Sequence, residues 1–387
     1  MLRTFDEINA RIKAGTAVVV TAEEAVALVK REGVAAAAAQ VDVVTTATFG
    51  PMCSSGAVLN FGHSDPPIRM EEITLNDVEA YGGMAAVDTY IGATAESRTQ
   101  GIEYGGAHVI CDLVAGKSVR LKARGKGTDC YPRQELETDI TLADLNEAYL
   151  FNPRNCYQNY AAATNGSGRL LQTYMGVLLP GLGNVNYSTA GELSPLLKDP
   201  GLRTIGLGTR IFIGGAVGYI GWNGTQFNTN TERDENGIPK TPGATLALLG
   251  NLKEMSPEYI APAVFNGYGT SLNIGVGIPI PVLDEALMAD LARGNEELFT
   301  NVVDYSVQGR KRPVLKRVSY AELRSGTVDI GGKAVKTAPI TSLLKSRKIA
   351  EELKQWIRQG QFLLQAPVQL FPQGNAVKPL EIKGGNA

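Results

Sequence analysis

Only four cysteines and two histidines stand among the 387 residues, and that scarcity excludes several classes of protein. Four thiols in so long a chain are not the disulfide framework of a small secreted domain; in a reducing compartment any special thiol is catalytic, redox-active or a metal ligand. His63 and His108, with no paired Cys-x-x-Cys, are too few for a tetrahedral zinc site. No uninterrupted apolar run reaches about 18 residues, the length of a membrane span. The N-terminal MLRTFDEINARIK carries charges at helical spacing, where a secretory leader would be apolar, so a cytoplasmic protein without membrane association is expected. Net charge is missing too: 37 basic against 39 acidic residues leave −2, which provides no electrostatic footprint for nucleic acid. The one basic run, Arg310, Lys311, Arg312, Lys316 and Arg317, reads as a solvated hairpin face.

Glycine is what the chain has in excess, 44 residues beside 44% hydrophobic and 20% charged, and nucleotide-binding glycine patterns are the first thing to test. Ala115-Gly116-Lys117-Ser118 ends like a phosphate-binding loop, but Cys111 stands where the first glycine belongs. Gly181-Leu-Gly183 and Gly206-Leu-Gly208 lack the third glycine of a dinucleotide fingerprint, with Asn186 and Ile211 in its place. No NAD, flavin or zinc is therefore expected.

The length admits two domains, or one large α/β domain with a satellite. Residues 4–13 and 22–31 read as amphipathic helices around a short strand at 17–20, with Thr21 as a helix start. A buried strand at 41–47 is broken by Phe49-Gly50-Pro51. Helices are read at 34–40, 75–86 and 142–150, and strands at 108–114 and 118–123. From about residue 170 to 290 buried strands and tight turns dominate, closed by a helix at 284–293. Near the C-terminus Leu343, Leu344, Ile349, Leu353, Trp356 and Ile357 form one apolar helical stripe. The fold class is α/β: a mixed, glycine-rich sheet core with flanking helices over residues 1–300, and a C-terminal helical lobe over 301–387 packed on it.

Cysteine is the one chemical type left with a pattern. Cys53 follows a strand end, where ligands collect in α/β sheets, and Ser54, Ser55 and Gly56 add hydroxyls and close backbone approach. It is a nucleophile or a small buried hydrophobe. Cys130 lies beside Asp129 and Arg133, and Cys156 beside Arg154, Asn155 and Asn159. These three read as exposed thiols of lowered pKa, whereas Cys111, in an alternating stretch, reads as structural. His63, beside Asp65, is an acid–base group or a loop histidine.

The strings GPMCSSGAVLNFGHSDPP, GTDCYPR, NPRNCYQNYAAATNGSGR and GNVNYSTAGELSPL resemble the homocysteine biosynthesis family, the L-aspartate semialdehyde sulfurtransferases, over roughly residues 5 to 360. The resemblance implies a sulfurtransferase of methionine biosynthesis that joins L-aspartate semialdehyde and sulfide, with a ferredoxin-like electron-donor protein as partner. The family's reactive cysteines fall on Cys53 and Cys130. Many members carry a C-terminal pair of CBS modules, and none is expected here.

The implied reaction needs two electrons, which leaves two routes open. In one, Cys53 carries a persulfide or thiohemiacetal and Cys130 resolves it. In the other, Cys53, Cys130 and Cys156 hold a 4Fe-4S cluster with one iron free for sulfide. Arg133, Arg154 and Arg169 are candidates for the substrate carboxylate. Asn155, Asn159 and Asn165 could hold the ammonium or the aldehyde oxygen, or simply shape turns. Ser54 and Ser55 complete the candidate substrate-binding set. An acyl- or CoA-transferring enzyme and a non-catalytic, ferredoxin-docking electron relay are the competing functions, and homo-oligomerisation is left open.

Overall fold

The computed structural model describes residues 3–309 and 311–383; Arg310 of the basic run lies outside them. The strand expected before Cys53 spans Val43–Pro51 and sits near one end of a sixteen-stranded mixed sheet. It pairs in parallel with Val19–Thr21 and antiparallel with Gly269–Pro281, from Val43 opposite Pro281 to Pro51 opposite Asn273. Every residue from Val43 to Gly50 is buried, since both faces of the strand are covered. That is why its sequence is a continuous run of apolar residues and threonines and does not alternate.

Helix Leu343–Arg358 covers one of those faces, with Ile349, Ala350, Leu353 and Ile357 buried and Thr45 Oγ1 donating to the carbonyl of Ala350 at 2.8 Å. Two glycines of the neighbouring strand let the helix come close. A methyl on Gly275 would fall 2.6 Å from Ile349 Cδ1, and one on Gly277 3.1 Å from Leu353 Cδ2. Part of the glycine excess thus serves helix-on-sheet approach and not turns. Helices Phe5–Lys13, Ala22–Glu32, Val34–Gln40 and Glu285–Leu291 join the same core, the first two held at their starts by capping boxes from Thr4 and Thr21.

Sheet order explains where the Cys53 turn must lie. Between Val43–Pro51 and the next strand in sequence, Gly56–Asn60, the sheet inserts Gly269–Pro281, Arg210–Ile213, Ala216–Asn223, Leu246–Asn251 and Glu147–Asn155. Six strand spacings would be about 29 Å on a flat sheet, whereas residues 52–55 can bridge only about 17 Å. The sheet therefore coils on itself around its larger core cluster, and the Cys53 turn crosses the mouth of the coil. Hydrogen bonds on both sides tie it there: Met52 N–H donates to Leu272 O at 2.8 Å, Ala93 N–H to Ser55 O at 2.8 Å, and Thr270 Oγ1 to Ala93 O at 2.8 Å.

A second, six-stranded sheet runs in the order Val314–Ser319, Phe299–Asp304, Ala162–Thr164, Asn184–Tyr187, Lys333–Pro339, Thr327–Ile330. The segment from 301 on, expected as a helical lobe on the core, supplies strands to this sheet before helix Leu343–Arg358 packs on the first.

Four elements differ from the sequence reading. Phe49-Gly50-Pro51 does not break the strand before Cys53 but continues it, paired with Gly275, Ile274 and Asn273. The helix expected at 75–86 is a hairpin, Glu72–Leu75 against Val78–Tyr81, because Asn76 (φ 47°) and Asp77 (φ 68°) both adopt the left-handed conformation that a two-residue hairpin turn requires. The strand expected at 108–114 is helix Gly106–Val114: the buried Ala107, Ile110 and Leu113 keep the three-residue spacing of a helix face, while Val109, Cys111 and Leu113 alternate as a strand would over so short a run. The helix expected at 142–150 is a 3₁₀ turn, Leu142–Asp144, followed by strand Glu147–Asn155. Its inward positions alternate through Ala148, Leu150 and Asn152, and the polar Asn152 hides that alternation.

Candidate active site

The turn that carries Cys53 is locked by one residue that sequence reading passed over. Asn152, fully buried on strand Glu147–Asn155, donates through Nδ2 to Ser55 Oγ at 2.7 Å and accepts through Oδ1 from Ser54 Oγ at 3.1 Å and from the Arg154 N–H at 3.0 Å. Ser54 Oγ also reaches the Arg154 carbonyl at 3.0 Å. Gly56 follows because a side chain there would overlap the Tyr90 hydroxyl, 2.2 Å from an added Cβ. Ser54 and Ser55, expected to bind substrate, are thus engaged in holding the turn, and Ser55 is buried.

Cys53 faces a cavity of about 600 Å³. Arg154 and Arg312 line it, and among the described lining residues there is no aspartate or glutamate; an anionic group is what such a wall favours. Hydroxyls and amides of Ser188, Thr189, Thr341, Gln226 and Gln308 supply polar contacts. The tyrosines are the other feature. Tyr268 and Tyr157 are each pushed up to about 12, first by burial, with the neighbouring Cys53 adding to the effect. Tyr160 donates to Tyr174 at 3.0 Å, and Tyr174 lies 3.2 Å from the Tyr305 hydroxyl.

The three cysteines do not converge. Cys156 lines the cavity with Cys53, but it is buried, and burial pushes its thiol up to about 12, opposite to the lowered value expected. Cys130 is exposed and is absent from the cavity wall. Its loop is fastened elsewhere: Tyr131 stacks on His63 with ring centroids 6.0 Å apart, and Arg133 donates to the carbonyls of Asp65 (2.7 Å) and Pro66 (3.0 Å). Residues 63–66 follow the far end of strand Gly56–Asn60 from Cys53, and that strand alone is about 13 Å long. Cys111 lies apart on helix Gly106–Val114, its thiol raised to about 12 by burial.

Of the residues expected to bind substrate, Ser54 and Arg154 line the cavity. Arg133 is committed to the Asp65–Pro66 loop, and Arg169 is exposed with its carbonyl accepting from Asn165. Asn159, at φ 63°, donates to the carbonyls of Pro239 and Phe299 and accepts from the Tyr320 hydroxyl, so it is a structural tie. Asn155 Oδ1 receives the Cys156 N–H at 2.6 Å. Arg312, read as part of a solvated hairpin, is instead a wall residue. Its signal was hidden because a charge run in sequence does not reveal which member turns inward.

A cluster held by Cys53, Cys130 and Cys156 does not fit a single chain, since Cys130 stands outside the cavity. Among the described residues no three His, Cys, Asp or Glu side chains are grouped to hold a metal ion.

Comparison with known proteins gives consistent matches. A family model described as homocysteine biosynthesis enzyme, sulfur-incorporation, matches residues 17–364. An L-aspartate semialdehyde sulfurtransferase of Methanosarcina acetivorans is 54% identical over 379 residues, covering 98% of this chain and 74% of the relative. A protein of the same name from Methanocaldococcus jannaschii is 51% identical, covering 94% of this chain and 72% of the relative. No solved structure matches.

Proposed function

The chain belongs to the sulfur-incorporating homocysteine biosynthesis family, and on that premise we propose that it is a sulfurtransferase converting L-aspartate semialdehyde and sulfide to homocysteine in the Cys53 cavity. The observation that carries this reading is a thiol fixed on a rigid turn in the wall of a roughly 600 Å³ cavity lined by two arginines and no described acidic side chain. Such a wall suits a small substrate with a carboxylate and an electrophilic carbon.

Redox balance sets what the site must be supplied with. Sulfide and an aldehyde lose water to give a thioaldehyde, and reduction to the thiol consumes two electrons and two protons. Arg154, whose backbone is pinned beside Cys53 through Asn152 and Ser54, is placed to take the carboxylate in a bidentate pair. Cys53 captures the aldehyde as a thiohemiacetal, or, when hydrosulfide opens a Cys53–Cys130 disulfide, carries the sulfur as a persulfide while Cys130 leaves as the thiolate, the disulfide being the two-electron oxidant of that step. Cys130 is the second thiol of the exchange; its exposure suits a role at the surface, where a ferredoxin-like donor can reach it. Its exchange with Cys53 requires the loop 125–134 to move or a second copy of the chain to approach.

Incubating the purified chain with L-aspartate semialdehyde, sulfide and a strong reductant, and measuring homocysteine by mass spectrometry, tests the reading. Homocysteine should form with the wild-type chain and not with Cys53→Ser. A folded wild-type chain that forms none, with a ferredoxin-like donor supplied, would count against catalysis and favour an electron relay.

A further inference from the structure

The sulfur chemistry at Cys53 leaves open which group moves the proton on the aldehyde oxygen, and one cavity residue is arranged for that task. Tyr174 lines the cavity. Its hydroxyl oxygen receives the Tyr160 hydroxyl at 3.0 Å and lies 3.2 Å from that of Tyr305. With Tyr305 as donor in the second contact, both acceptor positions of the Tyr174 oxygen are filled and its own proton is left for the cavity. The guanidinium of Arg312 lies over the Tyr305 ring, 3.7 Å from its centroid, and its Nε is buried with no hydrogen-bond partner among the described residues. A cation with an unused donor beside linked phenols stabilises negative charge on the one that ionises.

We propose that Tyr174 is the acid–base residue of this cavity, giving its proton to the carbonyl oxygen of the bound aldehyde as sulfur adds to the carbon, with Arg312 as the positioning residue that stabilises the phenolate. The proposal rests on the sulfurtransferase reading. In the step itself, the Cys53 thiolate forms the C–S bond, the carbonyl π pair moves to oxygen, and that oxygen takes the phenolic proton. The products are the Cys53 thiohemiacetal and Tyr174 phenolate; no electrons are exchanged with a donor.

The titration pattern agrees with the geometry. Burial raises Tyr160 and Tyr305, which stay protonated as donors. Burial also acts to raise Tyr174, but hydrogen bonds from Tyr160 and Tyr305 and the charge of Arg312 outweigh it and bring Tyr174 below the ordinary phenol value. The other groups facing this cluster, Tyr157 and Tyr268, are raised, with Arg154 opposing the shift in both. Tyr174 is therefore the first of these phenols to ionise.

The full-length chain carries the test. Ultraviolet titration should show one tyrosine ionising ahead of the rest, absent in Tyr174→Phe, moved to higher pH in Arg312→Gln and partly restored in Arg312→Lys. Tyr174→Phe keeps the ring packing, checked by its melting curve, and should lower kcat about 100-fold or more, with KM changed less than about threefold. The fall of wild-type kcat with rising pH through the Tyr174 ionisation should vanish in that variant. A Tyr174→Phe enzyme within about threefold of wild-type kcat, or a wild-type chain with no early tyrosine ionisation, would overturn the proposal. A wild-type chain that makes no homocysteine yet shows the early ionisation rejects the sulfurtransferase reading and leaves Tyr174 as the first phenol to ionise.

Discussion

Removing the Asn152 side chain should unlock the Cys53 turn, and its cost can be worked from the bonds it makes. Asn152→Ala deletes the contacts to Ser55 Oγ (2.7 Å), Ser54 Oγ (3.1 Å) and the Arg154 N–H (3.0 Å). Ser54 keeps a partner in the Arg154 carbonyl, but the buried Ser55 hydroxyl loses its donor. Three hydrogen bonds at about 1 kcal/mol each, with about 1 kcal/mol more for a stranded buried group, give a loss of about 3–4 kcal/mol. Urea unfolding of the wild type and the variant at equal m-values reads that difference. The double-mutant cycle with Ser55→Ala should return a coupling of about 1–2 kcal/mol, because each single change strands the other's partner. Loosening should also appear at the thiol, as a changed rate of Cys53 modification by a disulfide reagent, and in kcat more than in KM. A stability change below about 0.5 kcal/mol, with unaltered thiol reactivity, would refute the claim that Asn152 fixes the turn.

Three further outcomes follow from the cysteines and a buried lysine. Brief alkylation of the native chain should label exposed Cys130 readily and spare buried Cys156, as peptide mass spectrometry after quenching will show; labelling of Cys156 at the Cys130 rate would contradict its burial. If Cys53 and Cys130 form the exchanging pair, mild oxidation should yield a Cys53–Cys130 disulfide only through loop movement or between copies, and non-reducing electrophoresis separates the two, an intermolecular bridge doubling the mass. Lys198, fully buried with its ammonium donating to the carbonyls of Leu291 (2.9 Å) and Arg293, is lowered from 10.5 to about 7, first by burial. Its folded value lies below its unfolded one, so the folded chain binds fewer protons in that window and stability rises with pH from about 7 to 10.5. Lys198→Met should therefore gain on the wild type as pH falls from 10.5 towards 7, and a pH-independent difference between their urea midpoints would refute that.

Local sequence carried a good part of the architecture. Thr4 and Thr21 announce helix starts through side-chain caps that need only neighbouring residues. The apolar stripe of Leu343–Arg358 buries Ile349, Leu353 and Ile357 as its helical period requires, although Leu344 is exposed, and the unbroken run before Cys53 marks a strand covered on both faces. Short elements were less legible. Asn76-Asp77 closes a hairpin because both residues take positive φ, a backbone choice that the helical reading of 75–86 did not consider. Gly106–Val114 is short enough for two periods to fit equally.

The sequence by itself determined the family, through the cysteine-bearing strings, and the α/β class, through helix caps and hydrophobic period. Only the tertiary structure decided which of those residues meet. Cys53 and Cys156 share a wall with Tyr174 and Arg312 from distant segments, while Cys130 and Arg133 are held beside His63–Pro66. The physical reason lies in the sheet order: five strands inserted between Val43–Pro51 and Gly56–Asn60 force the sheet to coil. Coiling brings together side chains whose separation along the chain carries no information about their distance in space.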